Sequence, residues 1–117
     1  MHDYRRLRVW HEAIELAVEV YRLTRTFPSV ERFNLTSQLN RAAVSVGSNI
    51  GEGSGRGSDG EFVQFLGYAN GSCIEVLTQT IIAERLGFGE ATQRQQVSAR
   101  AESIQRQVFS LIKTLRP

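Results

Sequence analysis

Residues 97–115, VSARAESIQRQVFSLIKTL, place Val97, Ala101, Ile104, Val108, Leu111 and Leu115 at alternating steps of four and three, with Gln, Arg and Ser between them. An α-helix turns once in about 3.6 residues, so these six side chains share one stripe and predict an amphipathic helix with a buried face. The same period recurs upstream. From Leu7 to Thr26, Leu7, Trp10, Ile14, Ala17 and Tyr21 form one apolar row, and Val9, Ala13, Leu16, Val20 and Leu23 form a second row beside it. That segment predicts a helix with a broad apolar face, ended by Phe27-Pro28 because a residue before proline is pushed out of the helical region. From Arg32 to Gly53, Leu35, Leu39, Ala42, Val46 and Ile50 face one way. Ser58-Asp59-Gly60-Glu61 then has the form of a capping box and opens a third helix. Phe62, Phe65, Leu66, Ala69, Cys73, Val76, Leu77, Thr80 and Ile81 line this helix as far as Leu86, and Gly87 suits a left-handed terminator. Four long helices with short connections predict an all-α fold: one domain over residues 1–117, an antiparallel up-down-up-down four-helix bundle.

Composition agrees with a folded domain. Of 117 residues, 41% are hydrophobic and 22% charged, which excludes the weakly hydrophobic, highly charged class that stays disordered. No run approaches the roughly 20 apolar residues of a membrane span, and Met1-His2-Asp3-Tyr4-Arg5-Arg6 is not followed by the apolar core of a signal peptide. A cytoplasmic protein is expected. One cysteine, Cys73, and two histidines, His2 and His11, are too few for a disulfide framework or for most metal centres, so neither metal nor cofactor is expected. Cys73 itself lies on the apolar stripe of the third helix and reads as a small core side chain.

Charge is distributed unevenly. The net side-chain charge is +2 overall, but residues 58–87 carry one Arg against four acids and residues 88–117 carry five basic groups against two acids. Opposite signs on neighbouring helices could steer bundle or subunit pairing. Alternatively Arg94, Arg100, Arg106 and Lys113, if they face outward, form a candidate nucleic-acid surface, for which guanidinium forks are suited. A second candidate is the polar stripe of the second helix. Gln38, Arg41, Ser45, Ser48, Asn49 and Glu52, interleaved with Gly47 and Gly51, either serve close helix packing and local capping or form a polar partner surface.

Three further motifs read more simply as structure. Gly55-Arg56-Gly57-Ser58-Asp59-Gly60 fits a dinucleotide fingerprint but lacks the surrounding strands, so it is read as an inter-helix loop. Arg5 and Arg6 precede His11 by six and five positions, a spacing similar to the Arg-x-x-x-x-His pair of some small helical ribonucleases. Nothing else in the sequence converges on that pair. Trp10, Phe62, Phe65 and Tyr68 at helical spacing are read as core or as subunit contact.

The string Leu35-Thr36-Ser37-Gln38-Leu39, Arg41-Ala42-Ala43-Val44-Ser45, Ser48-Asn49-Ile50 and Glu52-Gly53, with Gly55-Arg56, Ser58 and Glu61-Phe62 after it, resembles the four-helix-bundle 23S rRNA-intervening-sequence proteins. Val9-Trp10 and Phe27-Pro28 add to the likeness, which covers about residues 3–115. Gly47 and Gly51 depart from the proline and alanine common at those places. The resemblance implies a bacterial, non-enzymatic protein without catalytic residues or cofactors, assembled as a ring-shaped homopentamer. It also implies kinship with the accessory variability determinant of diversity-generating retroelements, a similar bundle that binds a reverse transcriptase and nucleic acid. The function expected is therefore an oligomeric binding or scaffold module, for RNA or an RNA-handling protein. A purely protein-binding adaptor is the rival, and a small ribonuclease using Arg5, Arg6 and His11 comes third.

Overall fold

The computed structural model describes residues 1–116. Four helices account for nearly all of them: α1 (Arg8–Thr24), α2 (Leu35–Ser54), α3 (Asp59–Leu86) and α4 (Ala91–Leu115), with short 3-10 turns at Tyr4–Arg6 and Ser29–Glu31. The body measures 45 × 22 × 19 Å. Helix α1 packs on α2 and α4, and α3 packs on the same two, so the axes form a square.

Contacts along the helices fix their directions. Thr24 donates a hydrogen bond to Asn40 at 2.8 Å, and the amide of His2 donates to the Ser54 carbonyl at 2.7 Å, so α2 descends as α1 ascends. Ser45 and Ser72 touch halfway along α2 and α3, and Gln105 donates to Asn70 at 2.9 Å between α4 and α3. Arg100 meets Glu12 and Glu19 at the middle of α1. Gly53, late in α2, lies against Phe62 and Phe65, early in α3; Thr80 and Ile81, late in α3, lie beside Ala91 and Arg94, early in α4; and Arg8, first in α1, lies beside Ser110 and Thr114, late in α4, so each neighbour in the square runs antiparallel to the next.

Local chemistry explains the boundaries. Ser58 caps α3, its hydroxyl accepting the Glu61 amide at 3.2 Å, but Glu61 turns its carboxylate to the Ser58 hydroxyl at 3.5 Å and not to the backbone. Only half of the expected box forms. At the other end Gly87 stops α3 with φ 75°, and its amide bonds back into the last turn. Helix α2 begins at Leu35, three residues later than its periodicity predicts, because Pro28 is followed by a separate 3-10 turn whose Glu31 carboxylate then accepts the Leu35 amide at 3.3 Å.

The core is built from the expected stripes: Leu39, Val46 and Ile50 of α2, Leu66, Cys73 and Val76 of α3, and Val97, Ile104 and Val108 of α4 are fully buried. On α1 the row Val9, Ala13, Leu16, Val20, Leu23 is buried, whereas in the other row Ile14 is 42% and Tyr21 50% exposed. Phe62 is 1% exposed and belongs to the core, while Tyr68, at 50%, faces outward. Burial pushes the Cys73 thiol up to about 12, well above the ordinary thiol range. The neutral thiol is the form that fits the core, so this contribution to stability is fully present below about pH 9 and is lost as pH rises toward 12. A thiol reagent at pH 8 should therefore label Cys73 only in denaturant. Stoichiometric labelling of the native protein within minutes would contradict its burial.

Candidate nucleic-acid surface and polar groove

The four α4 cations do not act together. The Arg94 guanidinium donates to the carbonyls of Phe88 and Gly89 at 2.8 and 2.6 Å and ties down the α3–α4 turn. Arg100 lies between two α1 carboxylates: its Nε donates to Glu19 at 2.6 Å, and a second guanidinium nitrogen donates to Glu12. Hydrogen bonding to Glu19, with the added field of both carboxylates, raises the pKa of Arg100 above its already high ordinary value. The side chains of Glu12 and Glu19 are only 18% and 16% exposed. The outward row expected of Arg94, Arg100, Arg106 and Lys113 is corrected accordingly. Two of the four are used within the fold, and Arg106 and Lys113 alone stand exposed on the outer ridge of α4.

The polar stripe of α2 also divides. Gln38, Arg41 and Ser45 meet Ser72, Glu75 and Gln79 of α3 in an open groove of about 380 Å³. Ser45 donates to the Ala42 carbonyl at 2.7 Å, and a hydroxyl has one proton, so at 2.6 Å it accepts from Ser72. The Gln79 side-chain carbonyl, two turns further along the same groove, is buried without a hydrogen-bond partner among the described residues. Ser48 lies instead in the groove between α1 and α2. Asn49 donates to the Ser45 carbonyl at 2.9 Å within its own helix, and Glu52 pairs with Arg56 of the α2–α3 turn at 3.7 Å. Ser72, Glu75 and Gln79 were not singled out in the sequence, because their polar row interrupts an otherwise apolar α3 and reads as the wet side of that helix.

The groove beside Ser48 is apolar. Trp10, Ile14 and Ala17 of α1 face Val44, Gly47 and Gly51 of α2 across about 450 Å³, and Val44 joins it to a second groove of about 510 Å³ holding Tyr21 and Phe33. Phe33 is 82% exposed.

Arg5, Arg6 and His11 do not converge. Asp3 accepts from the Arg5 side chain at 3.1 Å, and the His11 ring Nε2 lies 2.8 Å from the Arg5 carbonyl, an acceptor to which the ring can only donate. The glycine-rich string forms the α2–α3 turn up to Ser58 and the first two residues of α3, with a helix and not a strand before it. Among the described residues, no three His, Cys, Asp or Glu side chains are placed to hold a metal ion, and no helix is long and apolar enough to cross a membrane.

The fold is shared with a solved structure, a protein of unknown function from the S23 ribosomal protein family of Bacteroides thetaiotaomicron. It superposes with a TM-score of 0.80 at 22% identity, over 90% of this chain and 98% of that one. No functionally curated protein matches the sequence. The family model for the 23S rRNA-intervening sequence protein matches residues 5–110, nearly the whole bundle. The likeness carried by the α2 string and the geometry of the four helices thus point the same way, and the chain belongs to the 23S rRNA-intervening sequence protein family.

Proposed function

We propose that this chain is a non-enzymatic, cytoplasmic binding or scaffold module that works as a homo-oligomer and engages RNA or an RNA-handling protein. The observation that carries the reading is apolar surface left over once one four-helix core is complete. On the α1–α2 side, Ile14, Tyr21, Val44 and Phe33 are all exposed along two connected grooves. On the opposite side of the square, Ile81 of α3 is exposed beside α4, with Ile74 two turns earlier on the same face and Phe109 on α4. Contiguous apolar patches of this kind mark interfaces. Two different patches on opposite sides suit a head-to-tail contact, which closes into a ring when the rotation allows. A five-membered ring is what the family resemblance implies.

Multi-angle light scattering at micromolar concentration should give a mass several times that of one chain. Ile14→Glu with Tyr21→Glu should reduce it to a single chain while the helical circular dichroism persists, since neither side chain belongs to the core. A single-chain mass for the unaltered protein would overturn the assembly. Cleavage of added RNA that stops on His11→Ala would overturn the non-enzymatic part.

A further inference from the structure

The antiparallel packing of α1 against α4 brings the two ends of the chain together, and the cations gather there. Residues 1–11 carry Arg5, Arg6 and Arg8 against Asp3, and residues 106–117 carry Arg106, Lys113 and Arg116 with no acid. Those 23 positions hold a net side-chain charge of +5 in a chain whose total is +2, so everything else together is −3. Counting by longer segments hides this, because it adds Glu12, Glu15 and Glu19 to the N-terminal cations and Glu90 and Glu102 to the C-terminal ones.

The cations at this edge are largely uncommitted. Arg5 and Arg6 belong to the 3-10 turn that packs on α1 and α2, with Arg5 held by Asp3, so the cations of the α1–α4 edge itself are Arg8, Arg106, Lys113 and Arg116, which are exposed and make no ion pair among the described residues. Of the three α1 acids, Glu12 and Glu19 are taken up by Arg100, and Glu15, exposed, does not line the edge groove. Across the bundle at the same end, Glu52 faces Arg56 and Asp59 faces His2, so those acids are engaged on another face.

Between the cations runs a groove of about 330 Å³, lined by Arg8, Gln107, Ser110 and Thr114 over a floor of Leu7, Val9 and Leu111. No carboxylate lines it. Arg106 and Lys113 stand on the adjoining ridge of α4, seven residues and about 10 Å apart along the helix. Cations flanking uncharged hydrogen-bonding groups match a strand that alternates anionic phosphates with hydroxyl-bearing sugars.

Resting on the RNA-binding reading above, we infer that the α1–α4 edge is where the RNA backbone docks, with Arg8, Arg106 and Lys113 on phosphates and Gln107, Ser110 and Thr114 on phosphate or ribose oxygens. Such contacts read charge and shape, so binding is weakly sequence-dependent and strongly salt-dependent.

Fluorescence anisotropy with a labelled RNA hairpin carrying a single-stranded tail tests this at about 50 mM salt. Replacing Arg8, Arg106 and Lys113 with serine should weaken binding at least about tenfold and reduce the slope of log K against log salt by about 2, roughly 0.7–0.9 per lost contact. A matched variant that loses equal charge elsewhere, at Arg22, Arg25 and Arg85, all exposed, should stay within about threefold of the original. If the edge variant loses helical signal, Arg106→Ser with Lys113→Ser, both exposed, should still bind several-fold more weakly. Equal losses in the edge and matched variants would overturn the location while leaving RNA binding intact. No binding by the unaltered protein would remove the RNA reading itself and this site with it.

Discussion

Gly53→Ala should destabilise the bundle by about 2–3 kcal/mol, whereas Gly51→Ala, two residues earlier on the same helix, should be neutral or slightly stabilising. A Cβ at Gly53 would lie 2.5 Å from the Phe65 Cβ and 3.0 Å from the Phe62 ring. Phe65 Cβ is fixed to the α3 backbone, and Phe62 is buried in the core, so neither can yield without moving α3 away from α2. At Gly51 the new methyl would sit 3.4 Å from Trp10 Nε1, ordinary contact with a half-buried ring. There the gain in helix propensity, up to about 1 kcal/mol for alanine over glycine, is left to act. The same gain applies at Gly53 and is outweighed by overpacking. Urea melts at one fixed protein concentration separate the two variants, since both change the same residue type on the same helix. Equal midpoints would mean that α2 and α3 do not depend on close approach at Gly53.

The sequence already points to small residues in α2 as packing devices, but it cannot say which glycine does the work. Gly47 and Gly51 attract attention because they interrupt the helical period, and both border an open groove. Gly53, at the end of the string, is the one pressed against the next helix. The reason is geometric: the short α2–α3 turn forces the two helices together where they meet, and turn geometry is not visible in periodicity. Helix α1 shows the same limit. Its two apolar rows are equal in the sequence, but one core accepts one row, and the choice falls to Val9, Ala13, Leu16, Val20 and Leu23 only when α2 and α4 are in place. The α4 stripe was readable because it is narrow, although Leu111 and Leu115 prove half-buried where the bundle opens at the α1–α4 edge. The candidate site was less legible. Arg100 looks like a solvated cation until Glu12 and Glu19, a heptad apart on α1 and adjacent to the buried row, are brought opposite it. That heptad-spaced acid pair was the signal available.

Arg100 separates a fold contact from a binding contact most sharply. Arg100→Glu should cost about 3–5 kcal/mol and abolish assembly through loss of folding, whereas Arg106→Glu should leave stability within about 0.5 kcal/mol. In the native bundle one guanidinium balances two carboxylates that are each more than four-fifths shielded from water. Exchanging it for a third carboxylate leaves three like charges in a poorly hydrated seam, where repulsion is weakly screened by salt. The charge itself is not what the fold needs. Arg100→Met with Glu12→Gln and Glu19→Gln removes all three ions, fills similar volume, and should recover most of the lost stability, because a neutral replacement avoids the desolvation that the ion cluster pays. Thermal melts of the single and triple variants decide between the alternatives. If Arg100→Glu melts with the unaltered protein, the seam is wet enough to solvate the extra charge, and Arg100 returns to the list of surface cations. If the triple variant is as unstable as the single one, the guanidinium is required for its hydrogen-bonding geometry between α1 and α4, and charge neutralisation is the lesser part of its role.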